Sequence, residues 1–145
     1  MKKQLFILIL ILFSFGAKAG DTVMIKPIRF SIKSEISKVL FNASITGCYD
    51  TLTKYCNSSV TLYTDFDGET RTEDVSDVKL ISELNDFIQQ VPFTYMKVLN
   101  GKNKLNEEVF VVELYWSKDN PAPLVQMFFR LDSKEAIRVV VILAN

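Results

Sequence analysis

The side chains available for acid–base chemistry are carboxylates and phenols, because the chain contains no histidine. That removes the commonest general base and every nucleophilic triad built on an imidazole. What remains is Asp65 and Asp67 at the end of an apolar segment, Tyr63 two residues before, and Tyr49, Tyr55 and Tyr95 elsewhere. A carboxylate lifted in pKa by apolar burial, beside a phenol that holds an oxyanion, can isomerise a ketone. The plainer reading of the same residues is the stronger one. Asp67 precedes Gly68 and is a turn residue. Asp65 next to it is solvated, and the tyrosines are core aromatics with their hydroxyls at the surface. Acid–base catalysis needs a positioned pair, and no residue is assigned a catalytic role.

Metal and phosphate chemistry are no better served. Two cysteines, Cys48 and Cys56, cannot complete a tetrahedral zinc shell without histidine. Five glycines, one of them in the leader, form no phosphate-binding loop. No metal and no cofactor is expected. The cysteines leave two readings open. They lie in a stretch that looks helical, where their spacing rises about 12 Å, whereas a disulfide wants Cα atoms about 5.5 Å apart. Either the segment bends and Cys48–Cys56 is a disulfide, or the thiols stay apart.

The elements that would position these residues follow a leader. Met1-Lys2-Lys3, the apolar run Leu5–Phe13 and Ala17-Lys18-Ala19 form a basic, apolar and small-x-small series. The apolar part is shorter than the ~20 residues of a spanning helix. Residues 1–19 are therefore expected to be a signal peptide and 20–145 a single domain, periplasmic or secreted, with no membrane span after cleavage. Lys2, Lys3 and Lys18 leave with the signal, so 14 of the 17 basic residues face 17 acidic ones. Four arginines, none clustered, argue against nucleic acid.

Ser31 is read as the N-cap of a first helix through Ala43, ended at Thr46-Gly47. A second short helix spans Cys48–Cys56, stopped by Asn57-Ser58-Ser59. Val60–Phe66 is a strand, Asp67-Gly68 a hairpin turn and Glu69–Thr72 a short edge strand. Asp74 caps a third helix whose stripe is Val78, Ile81, Leu84, Ile88 and Val91, with Pro92 ending it. Phe93–Leu99 is a strand, with Asn100-Gly101 as a second hairpin signal. Val109–Ser117, Leu124–Leu131 and Ala136–Ala144 are three further strands. The order is α-α-β-β-α-β-β-β-β, an α+β fold with a mostly antiparallel sheet.

Strand alternation divides the last three strands into faces. Phe110, Val112, Leu114 and Trp116, then Val125, Met127, Phe129 and Leu131, then Ile137, Val139, Val141 and Leu143 are the wholly apolar sets and should face the helices. The other face carries Val111, Glu113, Tyr115, Gln126, Phe128, Arg130, Arg138 and Ile142. It is too apolar for open water and too charged for a core. Contiguous apolar surface of this kind marks an interaction site, most simply an isologous homodimer.

The Thr46-Gly47 break, the run SSVTLYTDFDG, the helix Val75–Val91 and the end MFFRLDSKEAIRVVVIL resemble the nuclear transport factor 2-like superfamily, which includes the SnoaL-like proteins. The match is one of topology, over nearly all of Ser31–Asn145. Its last turn here is Asp132-Ser133-Lys134, without the glycine the family usually has. The resemblance implies a curved sheet of about five to six strands with three helices on its concave face. It also implies an outer sheet face used for dimers and a cone that can hold a small apolar molecule. Tyr49, Tyr55, Phe110, Trp116, Met127 and Phe129 are the candidate pocket lining. The expected function is a small exported binding or interaction protein whose partner is a second copy, another protein or a small apolar ligand. The alternatives are an isomerase- or dehydratase-like enzyme using a cone Asp and Tyr, and a periplasmic immunity or inhibitor protein.

Overall fold

The computed structural model describes Lys26–Pro27 and residues 35–144. The leader and the Ser31 cap lie outside the described residues. The elements are β1 (Lys26–Pro27), α1 (Glu35–Thr46), a 3-10 turn (Asp50–Tyr55), β2 (Cys56–Phe66), β3 (Glu69–Ser76), α2 (Asp77–Ile88), β4 (Tyr95–Lys102), β5 (Glu108–Tyr115), β6 (Val125–Leu131) and β7 (Ile137–Ala144). They build one sheet in the order β1-β4-β5-β6-β7-β2-β3. Every pairing is antiparallel except β2 with β7, which run parallel and join the first hairpin to the C-terminal meander. Among the described residues no helix is long and apolar enough to cross a membrane.

Both helices bury one stripe on the same sheet face. Ile36, Leu40 and Ala43 of α1 and Leu80, Ile81, Leu84 and Ile88 of α2 meet Phe110, Val112, Leu114, Met127 and Phe129 in a single core. Gly47 ends α1 with φ +76, and the N–H groups of Gly47 and Cys48 both donate to the Ala43 carbonyl. This left-handed cap favours glycine. Gln89 Nε2 donates to the Gly47 carbonyl at 3.2 Å, and a Cβ at position 47 would overlap that nitrogen. Gly47→Ala is therefore expected to cost about 1–2 kcal/mol, the left-handed penalty plus a displaced Gln89. A urea melt that leaves the midpoint unchanged would contradict this.

The observed elements differ from expectation in several places, each with a local cause. The second helix is only a 3-10 turn, and Cys56-Asn57-Ser58-Ser59 belong to β2, where Cys56 pairs with Ile137 and Ser59 with Ser76. The hairpin β2–β3 is longer than expected at its open end, where β2 begins at Cys56 and β3 runs to Ser76. Asp74 sits in β3, where its carboxylate accepts from Thr61 Oγ1, and the helix cap is Ser76, whose Oγ accepts from Lys79 N–H. Val78 is 71% exposed and stands outside the core stripe. Asn100-Gly101 continues β4, opposite Phe110 and Val109, and the chain turns only at Asn103. There the Asn103 side-chain oxygen accepts from the N–H groups of Leu105 and Glu107.

The turn after β6 works without a glycine. Asp132 Oδ1 accepts from the N–H groups of Lys134 and Ala136, and its Oδ2 accepts from Asn57 Nδ2. These bonds, led by that from Asn57, hold the Asp132 carboxyl below the usual carboxylate range. Glu135 takes the left-handed position, φ 64, that a glycine would otherwise occupy.

The face assignment of β7 is corrected by a bulge. Leu131 pairs with Ile137 but Arg130 pairs with Val139, so one extra residue, Arg138, is accommodated. Beyond it the alternation inverts. Val140 and Ile142 join Ile137 in the core, and Val139, Val141 and Leu143 fall on the outer face. Ile142, expected at the outer interface, is a core residue.

Candidate interaction surface on the outer sheet face

The residues that could do chemistry are all accounted for by local structure. Asp67 (φ 57) and Gly68 (φ 86) make the tight turn of the first hairpin, and Asp65 Oδ1 accepts from Gly68 N–H at 3.0 Å. Asp65 pairs in register with Leu143, on the outer side of the sheet, so neither carboxylate looks into the cone. Tyr49 is fully buried in the core. Ser44 gives its one hydroxyl hydrogen to the Leu40 carbonyl, so Tyr49 is the donor in the 2.7 Å bond to Ser44 Oγ. Burial pushes its pKa up to about 12. Among the described residues no three His, Cys, Asp or Glu gather where a metal could bind.

The pocket candidates separate in space. Tyr49, Phe110, Met127 and Phe129 come together in the core, and Tyr55 packs against its margin. The first four present essentially no surface to water, so no water-sized void lies against them. Trp116 lies beyond the end of β5 and is 57% exposed. A shallow groove of about 400 Å³ lies outside the cone, between the 3-10 turn and α2, with Asp50, Thr53, Ser82 and Asn85 in its walls.

Both cysteines are free thiols in this structure. Cys56 donates to the Leu52 carbonyl, and burial, reinforced by the Asp77 carboxylate, pushes its pKa up to about 12. Cys48 is exposed. Iodoacetamide near pH 8 should therefore label Cys48 many times faster than Cys56, since the thiolate is the nucleophile. Peptide mass spectrometry showing equal rates would contradict this placement.

The outer face holds the more organised arrangement. β5 is buried on both sides: Val109, Val111, Glu113 and Tyr115 are buried yet stand apart from the helix-facing core. Strand pairing then lines up three rows across the sheet. The middle row is Leu99, Val111, Phe128, Val141 and Tyr63, apolar or aromatic across five strands. On one side lies Lys97, Glu113, Gln126, Leu143 and Asp65, and on the other Gly101, Val109, Arg130, Val139 and Thr61.

A polar network is set into this face. Glu113, 6% exposed, accepts from Tyr115 Oη at 2.8 Å on one oxygen and from Gln126 Nε2 at 2.8 Å on the other. The Tyr115 ring meets Tyr95 at 5.8 Å and carries Lys97 Nζ 5.1 Å above its centroid. Burial first, then the Glu113 charge, raises the Tyr115 pKa well above the usual phenol range. Arg130 sits 3.4 Å from Glu107. Of the residues expected on this face, Val111, Glu113, Tyr115 and Gln126 are buried members of it. Phe128 and Arg130 are half-buried and Arg138 is exposed. Expectation missed Leu99, Val141, Leu143 and Tyr63. The signal for the last was in the sequence, since alternation places Tyr63 opposite to Leu62 on β2. The members from β7 were hidden by the bulge.

Gln126 is 1% exposed, and its amide is what satisfies one Glu113 oxygen. Gln126→Ala should cost about 2 kcal/mol, because a buried carboxylate oxygen loses its donor. Urea unfolding that matches the wild type would mean that Glu113 is not held by this bond.

No protein-family model matches the chain, and no curated protein matches its sequence. Solved structures are similar to it, three of them as follows. One comes from de novo design of proteins with diverse pocket structures, at 13% identity and TM-score 0.51, over 77% of this chain and 96% of that one. A DUF4783 family protein from Bacteroides ovatus is similar at 20% identity and TM-score 0.50, over 72% of this chain and 90% of that one. A DUF4783 family protein from Bacteroides fragilis is similar at 17% identity and TM-score 0.52, over 81% of this chain and all of that one. These likenesses concern the fold alone, an α+β fold of a curved sheet with helices on one face.

Proposed function

We propose that this chain is an exported, non-catalytic interaction protein that works through the outer face of its sheet, most simply as a homodimer. The observation that carries the reading is the apolar row Leu99, Val111, Phe128, Val141 and Tyr63. Val111 is buried and Leu99, Phe128, Val141 and Tyr63 are half-buried. A sheet face turned to water normally alternates to polar residues, and half-buried apolar side chains aligned across the sheet support an association surface. The row spans about 19 Å at the usual strand spacing. Export rests on the basic, apolar and small-x-small series of residues 1–19. The filled interior at Phe110, Met127 and Phe129 favours a surface over a pocket as the working part.

Multi-angle light scattering over a concentration series tests the proposal. The expected result is a mass of twice the chain that falls toward one chain on dilution. A single-chain mass throughout overturns the homodimer.

A further inference from the structure

We infer that the buried pair Glu113–Gln126 is a register lock between two halves of the sheet, whatever the outer face binds. The seam lies between β5 and β6. α1 packs mainly on β4 and β5, and α2 on β2 and β3, so each half of the sheet carries its own helix. On the helix side the halves are tied by Asn85, which accepts from Tyr49 N–H, and by Gln89, which donates to the Gly47 carbonyl. These ties are half-buried or exposed, so water can replace them. The alignment of the two halves therefore rests on how β6 runs against β5.

The usual register signals are missing at this seam. A short turn fixes register by its own geometry, as Asp67-Gly68 does for β2–β3 and the Asp132 turn for β6–β7. β5 and β6 are joined instead by the long connection 116–124. The hydrophobic pattern excludes a slip of one residue, which would turn Arg130 into the core. It does not exclude a slip of two. Alternation is then kept, and Leu114, Val112 and Phe110 meet Met127, Phe129 and Leu131 in place of Val125, Met127 and Phe129. One apolar contact replaces another.

The outer side tells the two registers apart. Glu113 stands directly opposite Gln126. Its carboxylate accepts one bond from the Gln126 amide and one from Tyr115 Oη, and Lys97 of β4 lies over the Tyr115 ring. A two-residue slip moves the halves about 7 Å past each other. It puts Glu113 opposite Phe128 and Val111 opposite Arg130. The buried carboxylate then faces an aromatic ring without its amide donor, the costly arrangement for a buried charge. The Arg130–Glu107 pair is partly exposed and adds little. A buried polar pair of this kind selects one register among several of similar apolar quality, while an apolar replacement of the same size would pack as well.

The test replaces the whole network by apolar side chains of similar length, Glu113→Met, Tyr115→Phe and Gln126→Met together, so that no polar partner is left unpaired. Because the network sets register and not stability, this variant should fold, with a urea midpoint above that of Gln126→Ala. Nuclear magnetic resonance reads the register. In the wild type each β6 residue should give one amide signal, with Val111 in cross-strand contact with Phe128. In the triple variant a second set of signals, with Val111 against Arg130, should rise from under about 1% to about a tenth of the molecules. A variant that folds with the single native set overturns the lock. A variant that does not fold, or is less stable than Gln126→Ala, also overturns it, because the network would then hold the fold up rather than choose its register.

Discussion

Phe129→Ala should destabilise the protein by about 3–5 kcal/mol. Phe129 is fully buried between its strand partners Phe110 and Val140, in the same core as Leu40 and Leu84 of the helices. Truncating a buried phenylalanine removes its transfer free energy and leaves a cavity that close packing only partly refills. Against a total stability of about 5–15 kcal/mol for a domain of this kind, the variant would sit near the edge of folding. Urea or thermal unfolding reads it directly. A loss under about 1 kcal/mol would mean that the ring is loosely held. The interior would then be a cavity rather than a filled core.

Stability should fall steeply above pH 10. Tyr49 titrates at about 12 in the folded protein, against an ordinary value of 10.0. Cys56 titrates at about 12 against 9.0, and Tyr115 is raised further still. Between the ordinary and the raised values, the unfolded chain has lost these protons and the folded chain retains them. The folded state therefore binds more protons, and stability decreases as pH rises through this window. Below about pH 8 these groups are protonated in both states and their contribution is fully present, with Cys56 the first to enter the window. For Tyr49 alone the loss by pH 12 is roughly 2 kcal/mol. Circular dichroism and the tyrosinate absorbance band, followed together, should show part of the phenol titration coinciding with unfolding. Tyr49→Phe should cost about 1 kcal/mol at neutral pH, since Ser44 Oγ loses its donor, and should flatten the alkaline slope. A tyrosinate band that rises fully near pH 10 with the fold intact would contradict the burial of Tyr49.

Much of the fold is legible in the sequence, for reasons that are local. The helix Asp77–Ile88 carries an apolar stripe at helical spacing, and the strands β5 and β6 alternate so strongly that the core set Phe110, Val112, Leu114, Met127 and Phe129 follows from counting by two. Local patterns fail where pairing overrides them. Asn57-Ser58-Ser59 have the composition of a loop, but they lie inside β2, where Cys56 before them pairs with Ile137 and Ser59 pairs with Ser76. Asn100-Gly101 has the composition of a turn but continues a strand whose partner was long enough to hold it. The β7 bulge is the clearest case. No residue in Ile137–Ala144 announces it; it arises because Asp132 closes the preceding turn on Ala136, and it moves Ile142 from the outer face to the core. The outer face could be read from Glu113, Gln126 and Phe128, whereas its continuation through Val141 to Tyr63 needed the parallel pairing of β2 with β7.

Sedimentation velocity of the wild type beside Phe128→Glu tests the outer-face interaction most directly. Phe128 is half-buried at the centre of the apolar row, so a carboxylate there is tolerated by the fold but sets an unpaired charge into the proposed association surface. The wild type is predicted to sediment as a dimer at about 100 μM, a concentration at which even micromolar affinity fills the complex. Phe128→Glu is predicted to sediment as a monomer with its melting temperature within a few degrees of the wild type. A wild type that sediments as a monomer, or a Phe128→Glu variant that stays as dimeric as the wild type, would contradict the account.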